Sequence, residues 1–248
     1  MKKIGIVGGV GWASTVDYYQ AICQWSQADH VNSGRQGTPP TPEIAIESLD
    51  LATAVARLGR LDDDDSWSSF DRYHREALQR LEASGVDFSL MASNTPHHRF
   101  DAITAGLRVP VLNIFDAIVQ ACRDLSVNRV LVLGTALTMA SNVLPAALRR
   151  IGVTAFAPEL HADREDVLGT IALLQSGAGE GAAAAIDRIA QRSQAQFDGA
   201  KPTVCLVCTE LPLAFPGMAA TPMFEQSGVT YLNSAALHAR AAYCLARV

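Results

Sequence analysis

Short apolar runs alternate along this chain with longer stretches in which apolar residues recur every three or four positions. The first kind of pattern predicts buried strands and the second amphipathic helices. Strands are expected at Lys3 to Val7, Glu43 to Leu49, from Phe88 towards Ser93, Pro110 to Ile114, Arg129 to Leu133, Thr154 to Phe156, from Val204 towards Cys208, and Val229 to Leu232. Helices are expected over Ser14 to Ala28, with Val16, Tyr19 and Cys23 on one face and Ser14 as N-cap. Others follow around Phe70, Tyr73, Ala77 and Leu81, from Pro96 towards Ala105, and over Asp116 to Leu125, Met139 to Ile151, Glu165 to Gln175 and Ala182 to Phe197, with a last one from Ser234. The fold class is therefore α/β, a parallel sheet flanked by helices. Asn32 to Pro42, rich in Gly and Pro, is a loop long enough to reach over a site, and Asp62 to Asp65 read as a solvated helix start.

Two strands end in the same way. Val204 to Val207 run apolar into Cys208 and then change polarity at Thr209 and Glu210; Phe88 to Ala92 run into Ser93, followed by Asn94, Thr95 and Pro96. A nucleophilic side chain at the carboxyl end of a buried strand stands where open α/β sheets bind ligands. The starts of the two halves match too: Ile4 to Ser14 and Val130 to Ser141 are each a strand, a Gly turn and a helix start bearing Ser or Thr. An internal duplication follows, with residues 1–114 and 217–248 forming a first lobe, 115–216 a second, a pseudo-two-fold relation between them and the site in between.

Composition narrows the classes. The chain has 248 residues, 49% apolar and 18% charged, and no apolar run of membrane-spanning length. The formal charge is −5 with scattered arginines, which argues against nucleic acid as a partner. Five cysteines without framework spacing, and a start that leads directly into a strand, point to the cytoplasm. The pair Cys205 and Cys208 is spaced as in redox motifs, but Cys205 lies inside a strand pattern rather than opening a helix. Gly9-Val10-Gly11 lacks the third small residue of a dinucleotide fingerprint, and Glu47 is too far away to serve the ribose. His97 and His98 are adjacent and have no third ligand in register, so no metal is expected.

With these residues laid out, the chain resembles the aspartate/glutamate racemase family of pyridoxal-phosphate-independent enzymes. Ile4-Gly-Ile-Val-Gly-Gly-Val-Gly-Trp-Ala-Ser-Thr-Val-Asp is similar to the family's opening segment, Ser93-Asn-Thr-Pro-His to its C-N-T-x-H, and Cys208-Thr-Glu to its second-cysteine C-T-E. Gly134-Thr135 with Thr138-Met139, and Pro158-Glu159, resemble two further family segments. The resemblance implies two similar α/β lobes, often dimeric, hence a homodimer, with one catalytic residue from each lobe facing the α-carbon of a small dicarboxylic amino acid. Three positions depart from the pattern: Ser93 stands for the first cysteine, Trp12 and Ser14 for a common Pro and Ala, and Asn233 for a frequent Asp. Some relatives in the family it resembles, with a hydroxyl residue at the first position, are racemases biased towards the L enantiomer, and the family's decarboxylase cousins keep only the second cysteine.

Racemisation needs a base on one face of Cα and an acid on the other. Cys208 suits the base, since a thiol ionises near ~8.5, whereas a serine hydroxyl behaves like water near ~15.7. Ser93 is thus the proton donor or positioner. Charge that develops on the substrate carboxylate calls for fixed donors, which Asn94, Thr95, Thr135, Thr138, Thr209 and the helix start at Ser14 and Thr15 can supply. Glu210 belongs to the same candidate set, and Arg164 is the candidate partner of a second carboxylate. The lysines are Lys2, Lys3 and Lys201, each ahead of a strand and away from the expected site, so no pyridoxal phosphate and no other cofactor is expected. Single-thiol decarboxylation of a malonate-type acid, and a low-activity carboxylate-binding homologue, stay open beside the racemase.

Overall fold

The computed structural model describes residues 1–247, which fall into two compact units: Met1–Asn113 together with the chain from His238 onward, and Ile114–Leu237. In the first unit β1 (Ile4–Gly8), α1 (Trp12–Asn32), β2 (Ile44–Ser48), α2 (Leu51–Val55), α3 (Ser68–Ala83), β3 (Phe88–Met91), α4 (Phe100–Thr104) and β4 (Val111–Leu112) follow one another. Its four strands are all parallel, in the order β2-β1-β3-β4.

The second unit runs through α5 (Ile114–Asp124), β5 (Arg129–Gly134), α6 (Ala136–Ala140), α7 (Val143–Arg149), β6 (Thr154–Phe156), α8 (His161–Gln175), α9 (Ala182–Arg192), β7 (Thr203–Val207), β8 (Met223–Gln226) and β9 (Val229–Asn233). The last helix, α10 (Ser234–Ala246), begins there and continues into the first unit. The strand order is β6-β5-β7-β9-β8, parallel except for β8 against β9. Without β8 this is the order of the first sheet, so the internal likeness read from the strand ends extends to topology.

The apolar strands are covered on both sides, as parallel sheets require. Along β7 the side chains alternate: Val204, Leu206 and Cys208 belong to one core cluster with Val167, Ile186 and Phe197, and Cys205 and Val207 to another with Ile118, Cys122 and Leu148. Cys205 and Cys208 therefore face opposite sides of the sheet, which disposes of a dithiol motif. In the first unit Ile4, Ile6 and Leu90 are wholly buried. Each such side chain contributes about 1.5–3 kcal/mol relative to leaving it in water.

Several expectations need correction. Residues 217–237, expected in the first lobe, belong to the second unit because β9 pairs with β7 and β8 with β9. Ser14 is not the N-cap of α1: Gly11 holds that place, and Ser14 lies inside the helix. The buried face of α1 is Tyr18, Ala21 and Ile22, whereas Val16 and Tyr19 are about half exposed. The segment from Met139 to Ile151 is two helices, because the chain is extended at Ser141. The Gly/Pro loop between α1 and β2 sits at the amino edge of the strands, where Ser26 donates to the Pro40 carbonyl and Ile4 N–H to that of Glu43. It borders a cavity of about 400 Å³ there, away from the carboxyl edge. The acidic run, by contrast, is solvated as read, with Asp62 and Asp64 exposed although Asp64 also pairs with Arg99. Among the described residues no helix is long and apolar enough to cross a membrane.

Candidate active site

The β7–β5 register pairs Val207 with Gly134, so the next residues, Cys208 and Thr135, leave the sheet side by side at its carboxyl edge. Gly134 must be glycine there: a Cβ would stand 2.7 Å from the Val207 carbonyl oxygen and 2.9 Å from Thr138 Cγ2. Thr135 caps α6, accepting from Thr138 N–H at 3.3 Å with the two hydroxyls 3.1 Å apart. The Cys208 Sγ donates to Glu210 Oε2 at 2.9 Å, and the Thr209 hydroxyl donates to the same oxygen at 3.2 Å. Burial above all, and then the Glu210 carboxylate beside it, push the thiol well above its ordinary range. An isolated thiol, a few per cent ionised at neutral pH, is thus the wrong picture: this one is protonated, with a carboxylate in place to receive its proton. From the sequence Glu210 was expected among the substrate-binding groups; its carboxylate, two residues beyond Cys208, bonds to the thiol.

In the first unit β1 and β3 pair Val7 with Met91, which brings Gly8 and Ala92 together at the carboxyl edge. The turn after Gly8 is tight. Gly9 has φ +86° and a Cβ there would lie 2.1 Å from the Leu49 carbonyl oxygen, a conformation and a space that only glycine meets. Thr15 closes this turn by accepting from Gly9 N–H at 2.9 Å, and the buried Ser14 hydroxyl donates to the Ala92 carbonyl at 2.7 Å. Both hydroxyls, expected to meet substrate, are thus engaged in shaping the loops on which Ser93 and the Gly turn sit. Ser93 and Thr95 are half-buried, and their hydroxyls are tied to no other described residue. Asn94 is 4% exposed and neither its amide nitrogen nor its amide oxygen has a partner among the described residues. A buried primary amide left unmatched costs about 1–3 kcal/mol, so its retention points to a role beyond stability.

Arg164 lies in the first turn of α8 after β6, exposed, with Nε donating to the Pro158 carbonyl at 2.6 Å. No group of three or more His, Cys, Asp or Glu among the described residues is placed to hold a metal ion. The residues that the sequence did not single out are His238 and Tyr18, and His97 was left between structure and substrate contact. All three are buried beside the Ser93 loop. No spacing signal links positions so far apart in the chain.

Two α/β units of matching strand order each deliver a small nucleophilic side chain to a carboxyl edge, and one of these is a thiol on a carboxylate. The chain belongs to the Asp/Glu/hydantoin racemase family, whose model matches residues 7–242, and is thus an enzyme of the isomerase class. Among solved structures it is similar to an aspartate racemase homologue from Pyrococcus horikoshii OT3, at 27% identity with both chains fully covered and a TM-score of 0.76. The aspartate racemase of Picrophilus torridus shares the fold at 18% identity, covering 100% of this chain and 95% of that one, with a TM-score of 0.72. The glutamate racemase of Campylobacter jejuni shares it at 22% identity, 99% and 86% coverage and a TM-score of 0.60.

Proposed function

We propose that this protein racemises aspartate or glutamate without a cofactor, with Cys208 removing the α-proton of the L enantiomer and Ser93 serving the opposite face of Cα. The observation that carries this reading is the Cys208 Sγ–H bonded to Glu210 Oε2 at 2.9 Å, a thiol with its own proton acceptor at the carboxyl end of a strand. In the forward direction Glu210 takes the thiol proton and the thiolate takes the Cα proton. The electron pair left on Cα spreads into the substrate carboxylate, whose charge is met by fixed donors: the Asn94 amide, the Thr95 hydroxyl and the loop amides beside them. A proton passes to the other face through the Ser93 hydroxyl, which recovers its own from water. Cys208 keeps the proton it took from Cα, and Glu210 gives its own to the hydroxide left by that water, which closes the cycle.

Lysine placement supports independence from pyridoxal phosphate. Lys2 and Lys3 lie at the start of β1, and Lys201 precedes β7 and pairs with Glu225. Arg164 is the proposed partner of the second substrate carboxylate. One observation favours a second reading, single-thiol decarboxylation of a malonate-type acid: no described residue is bonded to the Ser93 hydroxyl to take its proton.

Proton NMR of L-aspartate and L-glutamate incubated with the protein in D2O, without added pyridoxal phosphate or metal, tests the proposal. Loss of the α-proton signal from one of them is the expected result. Failure to exchange either, with CO2 release from a substituted malonate, would transfer the assignment to the decarboxylase.

A further inference from the structure

The loop that carries Ser93 is closed on itself by a buried imidazole. His97 Nε2 lies 3.1 Å from the carbonyl oxygen of Met91, the last residue of β3, and His97 N–H donates to the Asn94 carbonyl at 3.1 Å. Because a carbonyl only accepts, Nε2 carries the hydrogen, and Nδ1 is left as the ring's acceptor; Asn113 bonds to the side chain as well. The ring stacks on Phe100, with centroids 5.8 Å apart and planes 11° apart, and meets His238 edge-on at 5.3 Å.

His238 repeats the arrangement on the neighbouring strand. Its Nε2 lies 3.2 Å from the carbonyl oxygen of Leu112, the end of β4, so Nε2 is again the donor and Nδ1 accepts from the Tyr18 hydroxyl at 3.0 Å. Adjacent parallel strands β3 and β4 thus each end in a carbonyl capped by an imidazole that is wholly buried. Burial above all keeps both rings neutral, which preserves the donor–acceptor assignment. From α1, four residues before Tyr18, Ser14 adds the second tie on the same loop through Ala92.

The geometry points to His97 as a positioning residue for one face of the reaction: by holding the Met91 carbonyl it fixes the exit of β3 and hence where Ser93 and Asn94 stand, while the Cys208 face is assembled without it. This inference rests on the proposed racemisation. It predicts a split between the two faces that a general loss of folding would not produce, because misplacement by a fraction of an ångström to an ångström costs about 10- to 100-fold only at the group displaced.

The experiment compares initial rates of α-deuteration in D2O, starting from the L and from the D enantiomer of whichever acid the wild type exchanges, for the wild type, His97→Phe, His97→Gln and Ser14→Ala. Phenylalanine keeps the stack on Phe100 but leaves Met91 without its donor, whereas glutamine carries an amide N–H at the same reach. Expected in His97→Phe is exchange from L within about twofold of wild type, with exchange from D and net racemisation down several-fold, up to the ~10-fold that removing the Ser93 hydroxyl costs. His97→Gln should recover most of the loss, and Ser14→Ala should show the same split in milder form. A folded His97→Phe in which both faces fall in proportion, or neither falls, overturns the assignment. If His97→Phe does not fold, Ser14→Ala decides by the same criterion. A wild type that exchanges neither enantiomer refutes the racemase reading itself and removes the basis of this one.

Discussion

β3 and β7 hold the same place in sheets of matching order, and each hands a small polar side chain to the carboxyl edge, but what surrounds those side chains differs. At the end of β7 the emphasis is electrostatic: a buried thiol, a carboxylate 2.9 Å away and a threonine on the same oxygen. At the end of β3 it is positional: the loop is tied through Ala92 and Met91 by Ser14 and His97, while no described residue is bonded to the Ser93 hydroxyl. The histidines divide in the same way. His30, His74, His97, His98 and His238 all belong to the first unit and His161, exposed, is the second unit's one. A shared topology therefore fixes where a reactive group emerges, and the residues within one turn of it decide whether that group is equipped to ionise.

The largest effect that would sharpen this contrast is the removal of each side chain in turn. Cys208→Ala should lower α-proton exchange by ~10³-fold or more, since it deletes the group with a proton acceptor. Ser93→Ala should cost about tenfold, because water can still deliver a proton to that face. Equal losses in the two variants, measured by deuterium uptake, would erase the asymmetry.

Next comes Glu210→Gln, which separates ease of ionisation from catalysis. Burial and the Glu210 charge both raise the thiol, so the neutral amide removes one of the two and the pH midpoint of Cys208 alkylation should fall. If Glu210 is the acceptor for the thiol proton, exchange should nevertheless slow by ~10²-fold. A variant that is both easier to alkylate and faster would mean that the carboxylate merely hinders the thiol.

How much of this was legible in the sequence depends on the range of the interaction. Cys208, Thr209 and Glu210 are neighbours in the chain, and the change of polarity after β7 marked the spot, although the role of Glu210 needed coordinates. Thr135 and Thr138 likewise read as a helix start, which they are. The antiparallel β8, whose residues are half or fully exposed, has no apolar run to betray it, and lobe membership of residues 217–237 follows from strand pairing that periodicity does not encode. The Tyr18–His238 contact spans 220 positions. On α1 an apolar-looking stripe at helical spacing, Val16 and Tyr19, proved to be the outer face, because small and polar residues such as Ser14, Ala21 and Ser26 line the buried one.

Acid should also tell the units apart. Burial holds His98 and His238 down at about 4, against an ordinary 6.5, and lowers His74 and His97 as well. The folded unit keeps these rings neutral while the unfolded chain takes up protons from about pH 6.5 downward. Stability is therefore intact above that pH, is lost as pH falls from about 6.5 towards 4, and recovers none of the loss below it. At pH 5.5 the cost is on the order of 1 kcal/mol for each of His98 and His238. Hydrogen exchange at pH 7 and pH 5.5, corrected for intrinsic rates, should show segments of the first unit losing protection before those of the second. The reverse order would mean that these histidines are hydrated in solution.

The smallest effect lies in the strands themselves. Four residues before Ser93 stands Ser89, and four before Cys208 stands Val204; both are buried, but the Ser89 hydroxyl has no hydrogen-bond partner among the described residues. It faces Gly5 across the β1–β3 register, close enough that a Cβ at Gly5 would lie 2.5 Å from it. The hydroxyl thus fills the space of a missing side chain and carries the desolvation cost of an unpaired polar group. Ser89→Ala removes that cost and opens a gap no larger than one oxygen atom, smaller than the methyl-sized voids that destabilise cores. The balance favours the variant by about 1 kcal/mol, which for a chain of this length raises Tm by roughly 2–4 °C. Activity should be unchanged, because the β3 backbone and the ties at Met91 and Ala92 are untouched. A fall in Tm of the same size would show that a buried water satisfies Ser89, and the first sheet would then have no unpaired polar group to set it apart from the second.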